Sequence, residues 1–432
     1  MPVAQDRLRR QARNRVLCAE VLRVAGRQSK CLDAFEAWLM IVAETTRRVD
    51  MSESYDFDRH IDRGNATSAK WEKYRGRDIL PMWVADTDFA VLPEIQRALR
   101  QRAEHPVFGY GHTPERLIDL LVERMRRLYQ WRIDPEWLVF LPGIVGALFL
   151  ACRATGKAGD EVYRPGIIYP PFVKAPQMNA QIDRAVPMVM RDERMIIDLD
   201  WLEQQPARPG QLLLLCNPQN PGGAVYREAE LRRLADIVLR REWLLCSDEI
   251  HCDLVLDPDR KHIPIASLGQ DIEQRSITLM APSKTYNLAG LGCAFAIVPE
   301  PGLRAQMKVS PYIVPHVNVM GLAAAEAAYE FGDEWVRQQC AYLAGNRDYL
   351  IEQINRIPGL SLGPIEATYL AWIDVSGLGL EDPMAFFENA GVGMSPGRDF
   401  GNNHFMRLNF GCPRSRVEQA VERIRKAVES LG

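Results

Sequence analysis

The sequence predicts an α/β protein: a large unit built on a mostly parallel sheet, followed by a smaller α+β unit. Three observations predict it. Short apolar runs of strand length alternate with longer stretches whose apolar residues recur at helical spacing. Several of those runs end in loops rich in Gly, Pro, Asn and Asp, the residues that punctuate strand ends. The 432 residues are 47% hydrophobic and 25% charged, the composition of a globular chain with room for two or three domains.

Residues 1–50 stand apart from this pattern. They carry ten Lys and Arg against six acids, a charge of +4, so the remainder, with 43 basic against 50 acidic residues, carries -7. The segment is Arg-rich and then apolar (AFEAWLMIVAE), which suggests a targeting presequence, but Asp33, Glu36 and Glu44 are misplaced for one. It reads as a helical or disordered extension outside the fold, with Met51 an alternative start.

The elements follow in order. Pro93 to Arg102 and Glu115 to Leu128 have the apolar spacing of amphipathic helices. Leu138 to Leu141 is a short strand that turns through glycine into a helical run, GALFLACRA. Further buried strands are expected at Gln211 to Cys216, Trp243 to Ser247, Ser276 to Met280 and Cys293 to Val298, with the helix EAELRRLADIVLRRE among them. Strands alternating with helices imply parallel pairing. Beyond about residue 316 a long Ala-rich helical pattern leads to strands at Tyr369 to Val375 and Phe405 to Phe410 and a final helix from Ser415. The division expected is a large unit over 96–316 and a small one over 51–95 and 317–432.

Composition excludes several functions. A formal net charge of -3 gives no basic surface for nucleic acid at the level of the whole chain. No apolar run approaches the ~18–20 residues of a membrane helix. The seven histidines show no metal-ligand spacing, so no metal is expected. Nine scattered cysteines without paired spacing, several inside apolar runs, point to reduced thiols and a cytoplasmic setting.

Four loop clusters carry the chemistry. Ala281-Pro-Ser-Lys-Thr-Tyr-Asn287 follows a strand, and Lys284 at the end of a buried strand is placed to lose solvation, which lowers its pKa and makes the amine nucleophilic toward a carbonyl cofactor. Ser247-Asp-Glu-Ile-His251 places Asp248 at another strand end, where a carboxylate can hold a protonated ring nitrogen. Asn217-Pro-Gln-Asn-Pro-Gly-Gly223 forms a tight loop whose Asn220 amide can donate to a phenolic oxygen. Pro142-Gly-Ile-Val-Gly-Ala147 turns a strand into a helix, leaving free N–H groups for a phosphate. Alone, each has an ordinary structural reading: solvated lysine, helix cap, turn. Their conjunction is specific, with Asn220, Asp248 and Lys284 spaced 28 and 36 residues apart, each after its own strand.

From about Tyr55 onward these motifs resemble the fold-type I pyridoxal-phosphate enzymes related to aspartate aminotransferase. Within them, the resemblance is strongest to the MalY/PatB-type C–S lyases (cystathionine β-lyase type). It is carried by LPMWVADTDF (Leu80 to Phe89), FGYGH (Phe108 to His112), PGIV (Pro142 to Val145), YPPF (Tyr169 to Phe172), NPQNPGG, SDEIHCDLV, APSKTYNLAGL, ATYLAWID (Ala367 to Asp374) and FMRLNF (Phe405 to Phe410). The resemblance implies pyridoxal 5'-phosphate bound to Lys284, with Asp248 on its ring nitrogen and Asn220, helped by His251, on its phenolic oxygen. Tyr169 would stack on the ring, and Gly143, Ile144, Val145 and Ser283 would hold the phosphate. Tyr110 would reach a phosphate across a homodimer interface, and Arg407 would bind the carboxylate of a small amino-acid substrate.

The sequence departs from that pattern at four points. Thr87 stands where Met is usual and Gly146 where Pro is common. The turn before Tyr169 holds an extra residue, which weakens the stacking assignment, and NLAGLG after Lys284 lacks the phosphate-binding Arg of aminotransferases proper. That last absence favours the lyases. The implied reaction is β-elimination of a sulfur-bearing amino acid. The same residues serve transamination, and a regulatory or binding protein on this fold is a third reading, against which the complete set of cofactor residues argues.

Overall fold

Strands form where the sequence carries short runs of Leu, Ile, Val and Cys, and the computed structural model describes them within residues 54–64, 66–206, 208–308 and 315–431. The basic segment 1–50 lies outside the described residues. All elements below belong to the unit Asp56–Gly432.

A seven-stranded sheet contains β1 (Leu138–Leu141), β2 (Glu161–Pro165), β3 (Ile182–Val186), β4 (Leu212–Cys216), β5 (Leu244–Asp248), β6 (Ser276–Met280) and β7 (Ala294–Ile297). Their order is β1-β7-β6-β5-β4-β2-β3. The run from β3 to β6 is parallel, and β7 alone lies antiparallel, against both β6 and β1. Because successive side chains point to opposite faces, a strand covered on both sides reads as an unbroken apolar run. LLLLC does so: Leu212, Leu214 and Cys216 enter one core with α3 (Ile144–Thr155), while Leu213 and Leu215 enter the other with α4 (Glu228–Arg240).

The helices α1 (Pro93–Glu104) and α2 (Glu115–Tyr129) lie where their apolar spacing places them. The Ala-rich pattern after residue 316 is two helices, α6 (Val319–Phe331) and α7 (Asp333–Ile354), divided at Gly332; between α4 and α6 lies the one-turn α5 (Pro282–Thr285). A β-carbon on Gly332 would sit 2.3 Å from the Tyr286 ring, so that position requires glycine. Downstream, β8 (Ser361–Leu362), β9 (Leu370–Asp374), β10 (Ser395–Pro396) and β11 (Phe405–Asn409) form an antiparallel sheet in the order β8-β9-β11-β10, and α8 (Arg414–Glu429) ends the chain.

Within the seven-stranded sheet, β2 and β3 escape the sequence pattern because charges interrupt them. Arg164 and Asp183 pair at 2.7 Å and Arg184 and Glu161 at 2.6 Å across neighbouring strands, which lets polar side chains occupy a sheet.

Candidate active site

In parallel sheets the carboxyl ends of the strands open onto ligand sites. Here the ends of β1, β4, β5 and β6 open on a cavity of about 240 Å³, and Gly143, Ile144, Val145, Tyr169, Asn220, Asp248, His251, Ser283, Lys284 and Arg407 all line it. The ladder register sets Cys216 opposite Asp248 and Asp248 opposite Leu279, so the loops that follow converge from adjacent strands. Tyr169 lies in the wall despite the extra residue before it; the Ile168 N–H donates to the Phe400 carbonyl at 3.0 Å and anchors the turn. Tyr110 does not join them. It is fully exposed and lines a separate groove with Val107, His112 and Val319.

Lys284 sits on α5, whose first residue is Pro282, suited to a helix start because its missing N–H has no helical partner there. Its Nζ donates to the Ala85 carbonyl at 2.5 Å. Burial pushes its pKa down to about 8, with Arg407 adding to the drop and Asp86 and Asp248 opposing it. Asp248 is the converse case. Burial pushes its carboxyl up to about 7, Glu249 adds to this, and the Ile250 N–H, donating at 3.1 Å, and Lys284 oppose it. Asp248 forms no ion pair among the described residues. The His251 ring, pushed down to about 3 by burial and then by Lys284 and Arg407, is neutral near pH 7, and its Nδ1 has no partner.

Arg407 reaches the cavity from β11, where it pairs in register with Trp372 and Ser395. Its Nη1 donates to Asn220 Oδ1 at 3.0 Å and its Nη2 to the Trp83 carbonyl at 2.9 Å, while Nε is buried without a partner. The guanidinium lies 4.5 Å over the Phe400 ring. Burial lowers its pKa to about 10, which leaves it charged near neutrality.

The opposite wall is the amino end of α3. Gly143 precedes it without a side-chain cap, and a β-carbon there would meet nothing within 4 Å. The first-turn N–H groups of Ile144, Val145 and Gly146 have no helical acceptors. Gly146 keeps a donor that proline would lack. The positions after Lys284 that face this wall are Ala289, Gly292 and Cys293, none of them basic.

The sequence reading missed the roles of Ala85, Trp83, Asn287 and Asn409. Asn409 donates to the Val84 and Asp86 carbonyls, both at 2.6 Å, and Asn287, at a φ of +58° that Asn tolerates, donates to the Thr87 and Phe89 carbonyls. These bonds hold the 83–89 loop against Lys284. The motif LPMWVADTDF marked the loop, but main-chain acceptors leave no signal in side-chain identity.

A model described as aminotransferase class I and II matches residues 77–424. Cystathionine beta-lyase PatB of Bacillus subtilis (strain 168) is 33% identical over 386 residues, which cover 86% of this chain and all of PatB. The crystal structure of OvoB is 48% identical, with a TM-score of 0.84 over 87% of this chain and all of that one. Cystalysin from Treponema denticola, whose crystal structure contains pyridoxal 5'-phosphate, is 30% identical, with a TM-score of 0.84 over 88% of this chain and all of that one. With the family model covering most of its length, the chain belongs to the aminotransferase class I and II family.

Proposed function

We propose that the protein is a pyridoxal 5'-phosphate-dependent carbon–sulfur lyase, cleaving cystathionine or a related cysteine S-conjugate to thiol, pyruvate and ammonia. One observation carries the reading: a desolvated lysine, Lys284, shares a cavity with an unpaired buried carboxylate, Asp248, and a fork-shaped cation, Arg407. Lyases named among its relatives support it.

The residues present suit this cofactor. An uncapped helix start over open space fits a phosphate, the unpaired Asp248 fits a protonated pyridine nitrogen, and the unpartnered His251 Nδ1 fits a further polar contact. Gly143, Ile144, Val145 and Ser283 would hold the phosphate, Lys284 the aldehyde carbon, and Asn220 and His251 the phenolic oxygen. Tyr169 would cover the ring. Asn220 keeps its amide N–H₂ for that contact because its Oδ1 is taken by Arg407. When bound, the cofactor supplies an electron sink for the pair left at the substrate α-carbon.

The chain's own groups do the rest. Arg407 presents parallel donors to the substrate carboxylate and so fixes which α-bond faces Lys284. Lys284, with a pKa near 8, is partly neutral at physiological pH and takes the α-proton as general base. Loss of the α-proton and rupture of the Cβ–S bond release a thiol. Water then converts the three-carbon remainder to pyruvate and ammonium, which balances atoms and charge without any oxidant.

Transamination would draw on the same residues and return the proton to the cofactor instead. Incubation with L-cystathionine and no keto acid separates the two. Elimination yields pyruvate, ammonia and thiol in equal amounts; product formation only on addition of a keto acid overturns the lyase reading.

The exposed Tyr110, beside exposed Val107 and Phe108, supports a homodimer in which Tyr110 enters the partner's phosphate site. Residues 96–316 would form the large domain, and 51–95 with 317–432 the small one. Among the described residues no helix is long and apolar enough to cross a membrane. The cysteines among the described residues are unpaired, which supports a cytoplasmic location.

A further inference from the structure

Lys284 sits on α5 and Asp248 ends β5, and one side chain outside the cavity grips the supports of both. Asp253 lies five residues beyond Asp248, at the end of a turn closed by the bonds Cys252 N–H to Glu249 O and Leu254 N–H to His251 O, both at 2.9 Å. One Asp253 oxygen forms an ion pair with Arg124 of α2, and both side chains are less than one-tenth exposed. The other oxygen accepts from the Thr285 hydroxyl at 3.0 Å, and Thr285 is the fully buried residue next to Lys284. From α7, Gln339 Nε2 donates to the Thr285 carbonyl at 2.9 Å and Cys340 Sγ to the Asp253 carbonyl at 3.3 Å. Arg124 is itself held, 5.2 Å over the Tyr329 ring of α6.

A one-turn helix such as α5 has few hydrogen bonds of its own, so tertiary contacts set its orientation. A buried charge pair is a costly way to fill space, and it persists where it fixes one arrangement against others. We propose that Asp253, locked by Arg124, is a positioning residue: through the Thr285 hydroxyl it fixes the lysine turn against the turn that follows Asp248. The proposal rests on the lyase reading's assignment of the cavity to pyridoxal 5'-phosphate, because the distance between Lys284 and Asp248 decides a rate only where both act on one bound cofactor. Neither Asp253 nor Thr285 lines the cavity.

The test compares Thr285→Val, which removes the hydroxyl at nearly constant volume, with Thr285→Ser, which keeps it. Two quantities are read: the rate at which apoprotein captures pyridoxal 5'-phosphate, followed by absorbance, and kcat and KM for elimination. Thr285→Val is expected to slow capture and lower kcat about tenfold with KM within about twofold, and Thr285→Ser to stay near wild type in both, as the loss of one hydrogen bond to a charged group dictates. Wild-type rates in Thr285→Val overturn the proposal. Equal impairment of Val and Ser overturns it too, since methyl packing would then be at fault. If Thr285→Val does not fold, Thr285→Ala against Ser gives the same reading. Wild-type protein that captures no cofactor overturns the lyase reading and the positioning role together, a result distinct from a wild type that captures normally beside an unimpaired Val variant.

Discussion

Two groups of buried charge lie next to one another in this molecule and are treated in opposite ways. Around Asp88 every charge has a partner: Arg63 at 2.7 Å, Arg416 at 3.0 Å and Lys70 at 3.2 Å converge on one carboxylate, and the Trp71 indole N–H adds a fourth contact. A few residues away, Asp248 and Arg407 are buried and Lys284 half-buried, yet none of them forms an ion pair among the described residues. Burial would push the Asp88 carboxyl up, yet Lys70, then Arg416 and Arg63, outweigh it and hold it below the usual range. Asp248, without such partners, rises to about 7. Matched buried charges fasten a loop, and unmatched ones hold a place for a ligand's charge and for a proton in transit.

The comparison breaks most readily at Asp88. Asp88→Asn strips Arg416 of its counter-ion and leaves Lys70 and Arg63 with Asp86 alone, and should destabilise the protein by about 3–5 kcal/mol, the range for breaking a buried pair. Urea denaturation measures it, while kcat per folded molecule should hold. A loss below about 1 kcal/mol, the level of an exposed pair, would place this network among inconsequential ones.

Arg407→Lys sharpens the other half. Lysine keeps the charge but loses the fork, so KM for the amino-acid substrate should rise about 10- to 100-fold with a smaller change in kcat. Unchanged KM would remove Arg407 from substrate binding.

The smallest effect is a pH signature of the apoprotein. Asp248 in the folded chain keeps to about pH 7 a proton that the unfolded chain sheds near 3.8, so its contribution to stability falls as pH rises through that window. Lys284 sheds at about 8 a proton that the unfolded chain keeps to 10.5, so its contribution rises between those values. The difference in unfolding free energy between the apoprotein and the Asp248→Asn, Lys284→Met double variant should therefore dip between pH 7 and 8. A flat difference would mean that the two groups are solvated.

Most of this is legible in the sequence, for a physical reason. Strands covered on both faces, such as β4, tend to be continuously apolar, and the residues at or after their ends are polar and turn-forming, so Asn220, Asp248 and Lys284 announce themselves. The strands β2 and β3 stayed hidden because cross-strand ion pairs let Glu161, Arg164 and Asp183 sit within them. The carbonyl of Ala85 and the grip of Asp253 on Thr285 were hidden too: one is main chain, and the other joins residues 32 positions apart through a contact that only folding creates. Tyr110 shows a further limit: its motif stands out in the sequence, yet in this chain its side chain is fully exposed and lines a groove apart from the cavity.

Where the cofactor attaches tests the account most directly. Protein incubated with pyridoxal 5'-phosphate, reduced with borohydride, digested and mapped by mass should carry the adduct on Lys284, and Lys284→Ala should carry none. An adduct centred on another lysine, or none in wild type, would contradict the assignment of this cavity as the site of chemistry.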